Sequence, residues 1–154
     1  MAICLSLMVC ATVGCKTADV PGGGYTGVTI DGRSRDDIRV AARAIFLANG
    51  YANSQTGFDE MVFEKEEGGM SSLAYGTWMS MAVWTRVKLR IIDMPGDRSY
   101  LLQAESYRVT NKGDQFVEEE KKTTRSNRKS LQRMIEDIRY QLDAESRLGA
   151  RTAS

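Results

Sequence analysis

The chain has 154 residues, a length that suits one domain under the prior of roughly 100 to 200 residues each. Its 21 basic and 20 acidic residues leave a formal charge of +1, too balanced for a dedicated duplex-DNA binder, whose domain pI usually exceeds about 9. It contains no histidine, which excludes the Ser-His-Asp triad, the Cys-His dyad, the H-E-x-x-H metal site and the zinc finger, since each needs an imidazole.

Met1 to Gly14 carries no charge and includes the apolar run Ile3 to Ala11. That run is shorter than the roughly 20 residues a membrane-spanning helix needs, so it reads as the apolar core of a signal peptide. It closes on Thr12-Val13-Gly14-Cys15, with small residues just ahead of the cysteine. This resembles the lipobox of bacterial lipoproteins, in which an aliphatic residue and small residues precede the cysteine that is diacylated and becomes the mature N-terminus. The rival Leu7-Met8-Val9-Cys10 places bulky Val9 where the signal peptidase takes Gly, Ala or Ser, which favours Cys15. The resemblance implies a signal peptide over 1–14, lipidation of Cys15, and a domain held in the bacterial cell envelope by its acyl chains. Lys16 after the anchor, in place of Asp, implies outer-membrane sorting with the domain facing the periplasm. All three cysteines (Cys4, Cys10 and Cys15) lie in the first fifteen positions, so the processed chain would hold no free thiol and no disulfide.

From residue 15 to 33 the lipidated cysteine leads into a stretch with neither apolar period, punctuated by Pro21 and Gly22-Gly23-Gly24, and this reads as a flexible linker. The glycines are no phosphate loop, because no strand precedes them and no Lys-Ser or Lys-Thr follows. The domain is expected over 34–149, with 150–154 as a tail. Ser34 and Asp37 have capping-box spacing, and Ile38, Ala41, Ala42, Ile45 and Phe46 then share one helical face up to Asn49-Gly50. Ala41, Ala42 and Ala48 suggest close approach to a sheet, and Arg35, Arg39 and Arg43 read as a solvated outer row.

Between Phe58 and Lys122 the apolar period changes to two. Met61 and Phe63 alternate in a short strand running to Glu66, and Gly68-Gly69 offers a hairpin into Ser71 to Thr77. Val83 to Ile92 is the clearest strand: Thr85, Val87, Leu89 and Ile91 face one way, and Trp84, Arg86, Lys88 and Arg90 the other. A four-residue turn, Met94-Pro95-Gly96-Asp97, would pair Asp93 with Arg98 and set Val87 opposite Ala104, Leu89 opposite Leu102 and Arg86 opposite Glu105. A second turn at Asn111 to Asp114 leads to Gln115 to Lys121, in a register that a glycine bulge leaves open by one residue. The last helix starts near Ser126, with Leu131, Met134, Ile135, Ile138 and Leu142 on one stripe, and frays through Ala144 to Gly149. The expected architecture is a two-layer α+β domain. An antiparallel meander of four to five strands carries an N-terminal and a C-terminal helix on one face.

Glu118-Glu119-Glu120 offers paired carboxylates for acid–base work or a divalent cation, but on a strand these alternate in direction, and the simpler account is pairing with cations on adjacent strands. Glu64, Glu66 and Glu67 are treated likewise. The run Lys121, Lys122, Arg125, Arg128, Lys129 and Arg133 contains no acid and would suit an anionic cell-wall or lipid partner; nucleic acid is a poor partner for an exported chain. Tyr75, Trp78, Met79, Met81 and Trp84 concentrate aromatic and thioether surface. The reading is therefore a membrane-tethered binding or assembly accessory. It has no catalytic residue, metal or cofactor, and its candidate partner surface is Trp84, Arg86, Lys88, Arg90, Lys121, Lys122, Arg125, Arg128 and Lys129. The competing readings are a histidine-independent cell-wall hydrolase and a ligand-free structural spacer.

Overall fold

Ser34 starts the first helix as its capping pattern requires: its hydroxyl accepts from the Asp37 N–H (3.1 Å) and its own N–H donates to the Asp37 carboxylate (3.2 Å). In the computed structural model, which describes residues 26–67, 82–96, 98–123 and 125–152, this helix is α1, Arg35–Ala48. The expected signal peptide, Cys15 and linker as far as residue 25 lie outside the described residues, as do the Gly68-Gly69 hairpin, its strand to Thr77 and the Tyr75 to Met81 aromatics.

Six strands form one antiparallel sheet: β1 (Thr26–Asp31), β2 (Ala52–Thr56), β3 (Glu60–Glu67), β4 (Val83–Asp93), β5 (Ser99–Thr110) and β6 (Glu119–Lys122). The order is β1-β5-β4-β3-β2, and β6 pairs with the far half of the same β5 edge that carries β1. The count among the described residues is six, against the four to five expected. β1 lies in the stretch read as linker, where Thr26, Val28 and Ile30 point into the core at a strict period of two. β2, Ala-Asn-Ser-Gln-Thr, has no apolar alternation and is a strand only because it pairs with β3, with an irregularity between Asn53 and Gln55.

The faces of β4 and β5 are as expected, but their register is not. Leu89 lies opposite Ala104, Ile91 opposite Leu102 and Asp93 opposite Tyr100, two residues away from the expected pairing. The Met94 N–H donates to the Ser99 carbonyl, so the four-residue loop is Pro95 to Arg98, one position later than expected. Gly96 (φ 128) and Arg98 (φ 52) absorb that turn in left-handed backbone. Because the slip is two residues, every side chain keeps its face.

The C-terminal helix, α2, runs Arg125–Thr152, through the segment expected to fray and into the expected tail. Its stripe Leu131, Met134, Ile135, Ile138 and Leu142 is buried together with Ile38, Ala42 and Phe46 of α1 against Met61, Phe63, Val87, Leu89, Ile91 and Leu102. Phe46 stacks on Phe63 with centroids 4.3 Å apart. Both helices thus cover one sheet face. Ala41 and Ala42 are buried, but α1 comes closest to α2 and not to the sheet, and Ala48 is exposed.

The arginine row is not the solvated face that its spacing suggested. Arg35, 12% exposed, donates to Asp59 (2.6 Å), Asp93 (2.8 and 2.9 Å) and the Ile91 carbonyl (3.0 Å), and Arg39 donates to the Gly57 and Phe58 carbonyls. Both reach the sheet end at the β2–β3 turn, which only the tertiary fold brings to the helix; Arg43 alone is exposed.

Candidate functional site

The sheet face turned away from the helices is built by alternation. Trp84, Arg86, Lys88 and Arg90 leave β4 on this side and stand in register with Glu66, Glu64, Val62 and Glu60 of β3, and with Val109, Tyr107, Glu105 and Gln103 of β5. Among the described residues no helix covers it. Instead the β5–β6 turn, residues 111–118, folds back over one end, with Asn111 (φ 57) and Gly113 (φ 90) making the reversal.

That turn delivers two charged side chains. Lys112 Nζ sits 2.7 Å from Glu64 Oε2 and 3.7 Å from the centroid of the Trp84 ring, and Glu118 accepts from Arg86 Nη1 (2.9 Å) and from the Gly113 N–H (2.9 Å). Arg86 is the hub: its Nε donates to Glu64 (2.7 Å), and Nη1 also lies 3.5 Å from Glu120, whose other oxygen is 2.8 Å from Lys88 Nζ. Ser54, Gln55, Glu60, Val62, Glu64, Arg86, Lys88, Lys112, Gly113 and Glu118 line an open groove of about 550 Å³.

Three of its charged groups are held ionised by their neighbours. Burial alone would push the Glu64 carboxyl up, but hydrogen bonds from Lys112 and Arg86 outweigh it and hold the group below the ordinary carboxylate range. Burial likewise works against the charge of Arg86, and the bonds from Glu64 and Glu118 more than restore it. Glu118 is lowered by the Gly113 amide and then by Arg86. Beside the groove, Glu105 accepts from Lys122 (2.8 Å) and from the Tyr107 hydroxyl (2.5 Å), which lowers the acid and pushes the phenol up to about 12.

The expected partner surface divides in two. Trp84, Arg86 and Lys88 are half-buried within this network, with Trp84 under the turn, and Arg90 is exposed beside Glu60 (2.9 Å). Lys121, Lys122, Arg128 and Lys129 are exposed and belong to the β6–α2 edge; the side chain of Arg125 lies outside the described residues. The two lysines do have acidic neighbours, Glu119 (2.9 Å) and Glu105 (2.8 Å). Glu118 and Glu120 pair with cations, but these are on β4, one strand beyond the adjacent β5. Glu64 pairs with Arg86 of the adjacent strand, as expected, whereas sequence reasoning missed Lys112 as its second cation, and Phe116, which stands 95% exposed beside half-exposed Val117 at the tip of the turn. Laying β3 against β4 in register would have set Glu64 opposite Arg86.

Among the described residues no helix is long and apolar enough to cross a membrane, and no cluster of three acidic, His or Cys side chains is placed to hold a metal ion. No family model, curated protein or solved structure matches the chain.

Proposed function

We propose that the chain is a binding or assembly accessory of the bacterial envelope, tethered through an acylated Cys15 to the outer membrane on its periplasmic side, and that the groove on the open sheet face receives a protein partner. The observation that carries this reading is the Arg86 hub. Three carboxylates and three cations line the groove (Glu60, Glu64 and Glu118; Arg86, Lys88 and Lys112), each within ion-pairing distance of an opposite charge in it or, for Glu60 and Lys88, on Arg90 and Glu120. Preset charges of both signs suit a polar segment that itself carries acids and amines, and they set its register more than its affinity. Glu64 is held ionised by two cations, which suits an electrostatic post and not a proton shuttle. Phe116 and Val117 at the groove rim supply the apolar contact that protein interfaces concentrate in a few residues.

The test is site-specific photo-crosslinking in intact envelopes from Gln55 and from Phe116, with Val40 on the helical side as control. A discrete adduct from the first two positions, lost in Lys88→Glu while circular dichroism is unchanged, is expected. Release of soluble fragments from peptidoglycan by the purified chain, or adducts indifferent to position, would sink the proposal.

A further inference from the structure

Thr26, the first described residue, pairs with Ala104, and two residues along the same edge of β5 Thr123 donates its N–H (2.9 Å) and hydroxyl (2.8 Å) to the Ser106 carbonyl. β6 and β1 therefore run in one direction, end to end, and the chain comes into the domain beside the place where it leaves for α2. Cations gather at that junction. Lys121 and Lys122 end β6, and Arg128 and Lys129 lie three and four residues into α2, within about 6 Å of its start along the axis. Arg128 stands one turn before Leu131 on the apolar stripe and is nevertheless exposed, so the first turn of α2 extends past the core. Neither Arg128 nor Lys129 has an ion pair among the described residues, and the first turn of α2 holds no acid. The nearby acids are Glu119 and Glu105, each already on a lysine.

We propose that this edge is the face the domain lays against anionic phospholipid headgroups, with Lys121, Lys122, Arg128 and Lys129 in contact. The inference rests on the tethered reading of Cys15 and gives it a geometry. Because β1 begins at Thr26, ten residues separate it from Cys15. Eleven steps of at most about 3.6 Å keep Thr26 within about 40 Å of the anchor, whatever path the chain takes. The tether thus keeps the domain within reach of the membrane, and the exposed cations of the β6–α2 edge, of which Arg128 and Lys129 have no ion pair among the described residues, choose the face that turns to it. The sheet then stands on its β1/β6 edge, with β2 four strand spacings, about 19 Å, farther out. The groove opens sideways above the lipid.

The experiment reconstitutes the purified full chain into vesicles of phosphatidylcholine alone or with one third phosphatidylglycerol, and maps labelling by an impermeant amine-reactive ester. Lys121, Lys122 and Lys129 are expected to label at least threefold more slowly on the anionic vesicles. Lys65, bonded to the Asn49 carbonyl on the far part of the sheet, should label equally on both. High salt and Arg128→Glu should each erase most of the contrast. Equal labelling of the three lysines on the two vesicle types overturns the inference. The mass of the Cys15 peptide, read from the same digests, judges the anchor separately: an unmodified cysteine overturns the tethered reading, and the labelling contrast still decides whether this edge meets anionic lipid.

Discussion

The carboxylate of Glu64 and the guanidinium of Arg86 face each other across paired positions of β3 and β4, 2.7 Å apart, with Glu64 only 5% exposed. Removing one member of a desolvated pair leaves the other without its partner. Glu64→Ala is expected to cost about 2 to 4 kcal/mol in urea denaturation, because Lys112 loses its acid and Arg86 keeps only the more exposed Glu118 and Glu120. Glu118→Ala should cost less, since that acid sits nearer solvent. A double-mutant cycle on Glu64 and Arg86 should return a coupling above about 1 kcal/mol; additivity would show that the pair is not coupled.

The pH dependence of stability should have two separated limbs. Glu64, Glu105 and Glu118 are all lowered in the fold, so their contribution is present above the unfolded carboxylate range and is lost as pH falls through their depressed values. Tyr107 is raised to about 12, so its contribution is complete below the unfolded value near 10 and disappears as pH rises from there to 12. No histidine titrates in between. Thermal melts should therefore change little from pH 6 to 8, fall below about pH 4.5, and fall again above about pH 10. Tyr107→Phe should remove much of the alkaline limb.

Arg35 joins the start of α1 to one end of the sheet, where the β2–β3 turn meets the end of β4, and lies over the rings of Phe58 (4.8 Å) and Tyr100 (5.4 Å). Its acids are exposed, so most of its worth is in the carbonyl bond and the packing. Arg35→Ala should lower stability by about 1 to 2 kcal/mol. Lysine cannot span Asp59 and Asp93 with one planar fork and should recover less than half.

Ile138 is fully buried where α2 meets the sheet, and Ile138→Ala is expected to cost about 2 to 5 kcal/mol by opening a cavity. Calorimetry would measure it; a loss below about 1 kcal/mol would mean that the helix repacks.

Phe116→Ser should leave the melting temperature unchanged, since the ring is almost wholly exposed, while abolishing the adduct formed from Gln55. A stable variant that crosslinks as before would remove the turn from the partner surface.

Elements that carry their own pattern are legible in the amino-acid sequence: the Ser34 capping box, the α2 stripe and the two faces of β4. Elements made by their neighbours are not. β2 has no apolar alternation, and only β3 makes it a strand. The register of β5 depends on which four residues turn, and left-handed Arg98 gives no signal, being neither glycine nor asparagine. The groove is half legible for the same reason. The β4 cations follow from alternation, but Glu64 and Lys112 acquire meaning only once β3 lies beside β4 and the β5–β6 turn folds back across both.

Among the described residues β1 has one partner, and that partner, β5, begins 68 residues after β1 ends. A nascent or truncated chain that stops before Ser99 leaves Val28 and Ile30 without their β5 partners, so the first of the described strands is among the last that can dock, after a large loop has closed. The seam shared with β6 is where the domain is finally shut, and a lesion there would trap an otherwise assembled sheet with its amino end loose.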